Sequence, residues 1–251
     1  MRYVLQLSYK GTNYHGWQIQ KNAHTVQNEL NSAISKVLKM EIETFGSGRT
    51  DTGVHANQQY AQFDFANIEN AAKFIFQLNA ILPYDIFIQH IYQVKDDFSV
   101  RFDAEERSYQ YRISLTKNPF LKDLCCYYFR PIPDIQLMNE ACSLLFKYTD
   151  FQSFSKYKTN VLHFDCQITQ AYWALDGDLL IFHVSANRFL RGMVRTIVGT
   201  LLEVGQKNIS VADFEQIILK RNRIYAKTSA PPEGLFLTEV VYPSQSLHLL
   251  A

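Results

Sequence analysis

Cysteine is scarce in this sequence. Cys125, Cys126, Cys142 and Cys166 are all it has, with no CxxC pair and no zinc-like spacing. Zinc-ribbon and dithiol chemistry are excluded on that count, and buried free thiols are expected instead. Long apolar runs are missing too, so no segment is expected to span a bilayer, and MRYVLQLSYKG at the start reads as a strand rather than a signal peptide. The expected setting is cytoplasmic and reducing, without membrane attachment. There is no excess of either charge. The formal net charge is +1, so attraction to a polyanion has to come from local clusters. No Gly/Ser-rich stretch marks a linker.

Apolar residues are plentiful, at 47% with 14% aromatic, and 18 Phe and 15 Tyr contribute to them. Disorder is excluded as the main state, and 251 residues can bury a core as one large domain or two modest ones.

The chain holds only 10 glycines, yet three fall within Gly46-Ser47-Gly48-Arg49-Thr50-Asp51-Thr52-Gly53-Val54-His55-Ala56. Glycine costs roughly 1 kcal/mol against alanine inside a helix or strand. The stretch is therefore a loop, with positive backbone angles or something pressed close against it. Three readings compete for it. Asp51 could cap a tight turn, as turn aspartates commonly do. A phosphate loop would need Lys and then Ser or Thr after its second glycine; Arg49 and Thr50 stand there with the wrong glycine spacing, so that reading fails. The third reading is a catalytic loop that presents Asp51 as nucleophile or base.

Around this loop the pattern is α+β. Tyr3, Leu5, Leu7 and Tyr9 alternate as a strand. Thr25 is placed to cap a helix carrying Val26, Leu30, Ile34, Val37 and Leu38, and Gln59, Ala61, Phe63 and Phe65 resume a strand. A helix over 67–80, a strand over Ile86–Val94 and another from Arg107 follow. A soft boundary falls near residue 100, giving an N-terminal subdomain over 1–100 and a C-terminal one over 101–251. In the latter, Asp134 opens a helix to about Lys147, and Asp176-Gly177 joins two strands as a hairpin. Residues 188–203 read as a helix with Gly205 beyond its end. Ser210 and Asp213 form a capping-box pattern, and Leu235–Tyr242 is a final strand.

The run GRTDTGVHA resembles the defining motif of the TruA family of tRNA pseudouridine synthases. Further matches follow in the family's order: Gly11-Thr12-Asn13-Tyr14-His15-Gly16-Trp17-Gln18, Thr25-Val26-Gln27, Leu82-Pro83-Tyr84-Asp85-Ile86, Arg107-Ser108-Tyr109-Gln110-Tyr111, Asn187-Arg188-Phe189, Met193-Val194-Arg195 and Glu233-Gly234-Leu235. The ordered set covers nearly the whole chain. It implies two related ferredoxin-like subdomains sharing a mostly antiparallel sheet with helices packed on it, the second completing the active-site cleft. It also implies isomerisation of uridine to pseudouridine in the tRNA anticodon stem-loop, around positions 38–40, by a homodimer without cofactor or metal.

The resemblance also assigns residues. Asp51 resembles the catalytic aspartate, and Arg49 the arginine that reaches into the RNA as the base flips, a task suited to a planar cation. Tyr109 aligns with the tyrosine that stacks on the uracil, where stacking is worth roughly 1–3 kcal/mol; Tyr111, on the same strand face, is a decoy. Arg195 resembles the cation that keeps the aspartate ionised, and Leu235 the apolar residue beneath the uracil. Taken without the resemblance, Tyr109 would be an ordinary core tyrosine, while for Leu235 simple strand packing and support of the uracil are hard to separate. His55 is read as tying down the loop or touching RNA. Arg188, Arg191, Arg195, Lys220, Arg221, Arg223, Lys227, Lys156 and Lys158 are candidate phosphate contacts. Lys10 and Ser99 depart from the family's usual acidic residue and histidine. A non-catalytic RNA binder on the same scaffold is the alternative, and Asp51 argues against it. A glycosidase would normally need a second carboxyl group.

Overall fold

The structure, a computed structural model, describes residues 1–129, 131–157 and 162–251. It is mixed α/β with mostly antiparallel strands, in two compact units: Met1–Glu106 with Phe236–Ala251, and Arg107–Leu235. The units differ from the expected division in one respect. The C-terminal stretch, assigned above to the second half, packs with the first.

The first unit runs β1 (Arg2–Tyr9), α1 (Val26–Leu38), β2 (Phe45–Gly46), β3 (His55–Asp64), α2 (Ala71–Ile81) and β4 (Ile86–Val94). Its strands lie in the order β4-β1-β3-β2, each antiparallel to its neighbour. This is the split βαβ arrangement of ferredoxin-like folds. Tyr3, Leu5, Leu7 and Tyr9 are buried as the alternation requires. Phe63 of β3 meets Phe74 of α2 at 6.2 Å, both rings nearly inaccessible; each such burial stabilises by about 1.5–3 kcal/mol. Thr25 precedes α1 as expected, but its side chain makes no cap, and the buried hydroxyl has no partner among the described residues. Asn70 starts α2 later than expected, by accepting the Lys73 N–H at 2.8 Å.

The second unit holds β5 (Glu106–Ser114, all but its first residue), β6 (Cys126–Tyr127), α3 (Ile135–Leu144), β7 (Ile168–Asp176), β8 (Leu179–Ala186), α4 (Met193–Gly205) and α5 (Val211–Leu219). Its strands run β5-β8-β7, antiparallel, with β6 parallel to β5. Gly177 takes φ +57° at the β7–β8 turn. Asp134 caps α3 through the Leu137 N–H at 3.1 Å, and Ser210 and Asp213 form the full capping box of α5. The expected helix over 188–203 begins instead at Met193, because Gly192 stands before it in a left-handed conformation, and it runs through Gly205.

The chain then returns to the first unit as β9 (Leu235–Val241), which pairs parallel to β3, and β10 (His248–Leu249), which pairs with β4. No helix among the described residues is long and apolar enough to cross a membrane.

Candidate active site

The 46–56 loop is held from both sides by main-chain contacts. Ser47 N–H donates to the Tyr60 carbonyl at 2.8 Å. Thr50 is buried: its hydroxyl meets that of Tyr9 at 2.8 Å, and its carbonyl accepts the Trp17 N–H at 3.2 Å. Arg49 beside it is exposed and Asp51 half-buried. The Asp51 carbonyl accepts the Val54 N–H at 3.1 Å, closing a four-residue turn with Gly53 third in it at φ +78°; that position calls for glycine.

Two glycines outside the loop explain how closely it is gripped. At Gly16 (φ +87°) a Cβ would stand 2.4 Å from the Thr50 carbonyl oxygen, and at Gly11 one would stand 2.0 Å from that of Val54. Of the loop's own glycines, Gly46 makes room for the Trp17 indole, whereas Gly48 has nothing near its missing Cβ.

The motif pieces of this unit form one buttress. Asp85 accepts from the Tyr14 hydroxyl and, at 3.0 Å, from the Asn13 amide. Burial, followed by the Asp85 bond and charge, pushes the Tyr14 phenol well above its ordinary range. The Gln27 side chain donates to the Thr44 carbonyl at 2.6 Å and accepts from Gln18 at 2.9 Å and from the Ile19 N–H at 3.0 Å. His55 is 1% exposed; its Nδ1 accepts the Gly11 N–H at 3.0 Å and its ring stacks on Phe236 at 4.5 Å. Of the two roles offered for His55, loop-tying is the one these contacts describe.

Sequence reasoning missed Gln59. It is fully buried, donates to the Gly48 carbonyl at 3.0 Å, and accepts from the Ser47 hydroxyl and, at 3.2 Å, the Tyr60 N–H. The available signal was a glutamine on the strand face that otherwise carries Ala61 and Phe63.

In the second unit, Tyr109 lies half-buried on β5 opposite Val184, with Phe189 edge-on at 5.1 Å. Tyr111 is fully buried, its hydroxyl donating to the Pro231 carbonyl at 2.8 Å. That is a structural role, as the decoy assignment expected. Arg195 sits in the first turn of α4, its Nε donating to the Ala230 carbonyl at 2.7 Å. Leu235 is 6% exposed at the start of β9.

The candidate phosphate contacts separate by partner. Arg188 lies 3.0 Å from His163 Nε2, Arg221 pairs with Asp150 at 3.2 Å, and Arg223 donates to the Ala226 carbonyl at 3.0 Å. Lys220 lies over the Tyr225 ring at 4.1 Å. Lys156, Arg191 and Lys220 are exposed and Lys227 is half-buried; Lys158 lies outside the described residues. Lys10 donates its main-chain N–H to the Asp85 carbonyl at 2.9 Å, and Ser99 donates its main-chain N–H to the Asp103 carboxylate at 2.8 Å. Among the described residues no group of three or more His, Cys, Asp or Glu could hold a metal ion.

Compared with known families, the chain matches tRNA pseudouridine synthase over residues 7–103 and 141–243. A protein of Bacteroides fragilis named tRNA pseudouridine synthase A is 45% identical over 249 residues, 97% of either chain. One of Azobacteroides pseudotrichonymphae with the same name is 43% identical over 243 residues, again 97% of either chain. Another, of Caldicellulosiruptor bescii, is 36% identical over 244 residues, covering 95% of this chain and 98% of its own.

Proposed function

This chain belongs to the tRNA pseudouridine synthase family and is an isomerase acting on RNA, and we propose that Asp51 is the carboxylate that starts its reaction, at anticodon stem-loop uridines around positions 38–40. The reaction breaks the N1–C1′ bond, joins C5 to C1′, and moves the C5 proton so that N1 ends protonated. Nothing is oxidised or reduced. The enzyme's tasks are to unstack the base, at a cost of a few kcal/mol, to hold it, and to offer a charged carboxylate.

The observation that carries the proposal is the gripped loop: Thr50 is anchored inward, with Arg49 exposed and Asp51 half-buried on either side of it in the chain. A half-buried carboxylate in so firmly held a loop suits attack or proton abstraction, and the turn it belongs to is closed by the Asp51 main chain. We assign Arg49 to the RNA as the base leaves the stack, Tyr109 to stacking on the uracil, Leu235 to its apolar support, and Arg195 to keeping Asp51 ionised. The protein acts as a cytoplasmic homodimer in this proposal.

Asp51→Asn keeps the size of the side chain and removes its charge. The variant should fold and bind tRNA yet form essentially no pseudouridine, read by mass-based mapping of tRNA incubated with purified protein. Substantial turnover, with contaminating synthase excluded, would remove Asp51 from the chemistry. Modification confined to uridines outside the anticodon stem-loop would overturn the assigned position.

A further inference from the structure

Residues 226–230 lie along α4 as a strap. Gly199 on α4 lets the backbones touch: a Cβ there would stand 1.9 Å from the Thr228 carbonyl oxygen and 3.3 Å from the Ala230 nitrogen. The strap is fastened at each end of that contact. Lys227 N–H donates to the Thr200 hydroxyl at 3.2 Å, and Ala230 N–H to the Arg195 carbonyl at 2.9 Å. Between them runs a one-way chain of donors. Arg223 donates to the Ser229 hydroxyl at 3.4 Å, Ser229 can donate to Thr196 at 2.8 Å, and Thr196 donates to the Gly192 carbonyl at 2.9 Å. A hydroxyl has one proton to give, and here Thr196 has given its own to Gly192, so Ser229 must supply the proton between the two. Thr196, Thr200, Ala226 and Ala230 are all buried.

We infer that this strap positions Arg195, with Thr196, Gly199 and Ser229 as positioning residues that act through the Ala230 carbonyl. That carbonyl takes the Arg195 Nε–H at 2.7 Å, which fixes the direction of the flexible side chain and so of its guanidinium. A shift of the strap moves the charge. The inference rests on the role proposed above for Arg195 only where it concerns rate.

The test uses the full chain and two readouts. The first is exchange of the Arg195 Nε–H with water by NMR, the signal being identified by its loss in Arg195→Met. Thr196→Val and Ser229→Ala should speed that exchange, and Thr196→Ser, which keeps the hydroxyl, should restore the slow rate. The second is single-turnover pseudouridine formation at saturating enzyme. Thr196→Val and Ser229→Ala should each lose about ten- to a hundredfold, the scale of a misplaced catalytic group, with tRNA affinity unchanged. Combined with Arg195→Met they should lose nothing more, since both act through one residue. Unchanged Nε–H exchange in both variants, or losses that multiply in the double variants, would overturn the inference. If Arg195→Met itself turns over at the wild-type rate, the proposed role of Arg195 falls, and the exchange measurement still decides the strap.

Discussion

Gln59 does for the 46–56 loop what a neighbouring strand would do for a sheet edge. Its amide donates to the Gly48 carbonyl, and its oxygen accepts from the Ser47 hydroxyl and the Tyr60 N–H. A buried group left unpaired costs about 1–3 kcal/mol. Gln59→Leu, close in size, takes from the Gly48 carbonyl the amide it accepts from, so urea unfolding should show a loss in that range and turnover should fall with it. Wild-type stability in the variant would mean that the loop is held without Gln59. The residue also marks how far the sequence could be read. Arg49 and Asp51 could be singled out because the motif that carries them is one short run of neighbours. Gln59, Tyr9 and Trp17 were not, because each acts on the loop from another part of the chain, and spacing along the sequence carries no record of that contact.

Two of the elements with a chemical signature at their ends were read correctly, whereas the Thr25 cap is not made and Gly205 lies inside its helix. The Asp176-Gly177 turn and the Ser210–Asp213 box are local, and local chemistry decides them. The start of α4 was placed too early because Phe189 and Met193 keep helical spacing across Gly192, whose left-handed backbone the pattern does not reveal. Strands β2, β6 and β10, two residues each, are too short for any periodicity to show. One pairing between elements makes a prediction about pH. His183 of β8 stacks on Tyr172 of β7 at 4.7 Å and 8°. Burial, and secondarily the charge of Arg112, hold its pKa below the ordinary 6.5. The folded state therefore takes up its proton later than the unfolded state does. The associated stability is complete above about pH 6.5 and is lost as pH falls through the lowered value. In His183→Gln, the decline in urea midpoint on acidification below about pH 6.5 should be shallower than in the wild type. Parallel declines would assign the acid sensitivity to other groups.

For the molecule as a whole, the near-neutral charge makes binding of a polyanion a matter of where cations stand. Lys156 and Lys220 are exposed, whereas Arg221 is engaged with Asp150 and Arg223 with the main chain. Affinity for tRNA should fall steeply with salt. Lys220→Glu should weaken binding at every salt concentration and lower the slope of log affinity against log salt by about 1, with the single-turnover rate at saturating enzyme little changed. An unaltered slope would leave Lys220 as a cation resting on Tyr225 and nothing more. The division of the chain has a different kind of consequence. The first unit is not contiguous: His55, at the end of the 46–56 loop, rests on Phe236, and β4 is edged by β10. A ribosome delivers residues in order, so the loop is made early but its supporting ring arrives only after the whole second unit has emerged. The nascent N-terminal segment must wait without its last strands while 107–235 is synthesised. A messenger broken before codon 236 would therefore yield a chain that contains Asp51 but lacks the ring that His55 rests on.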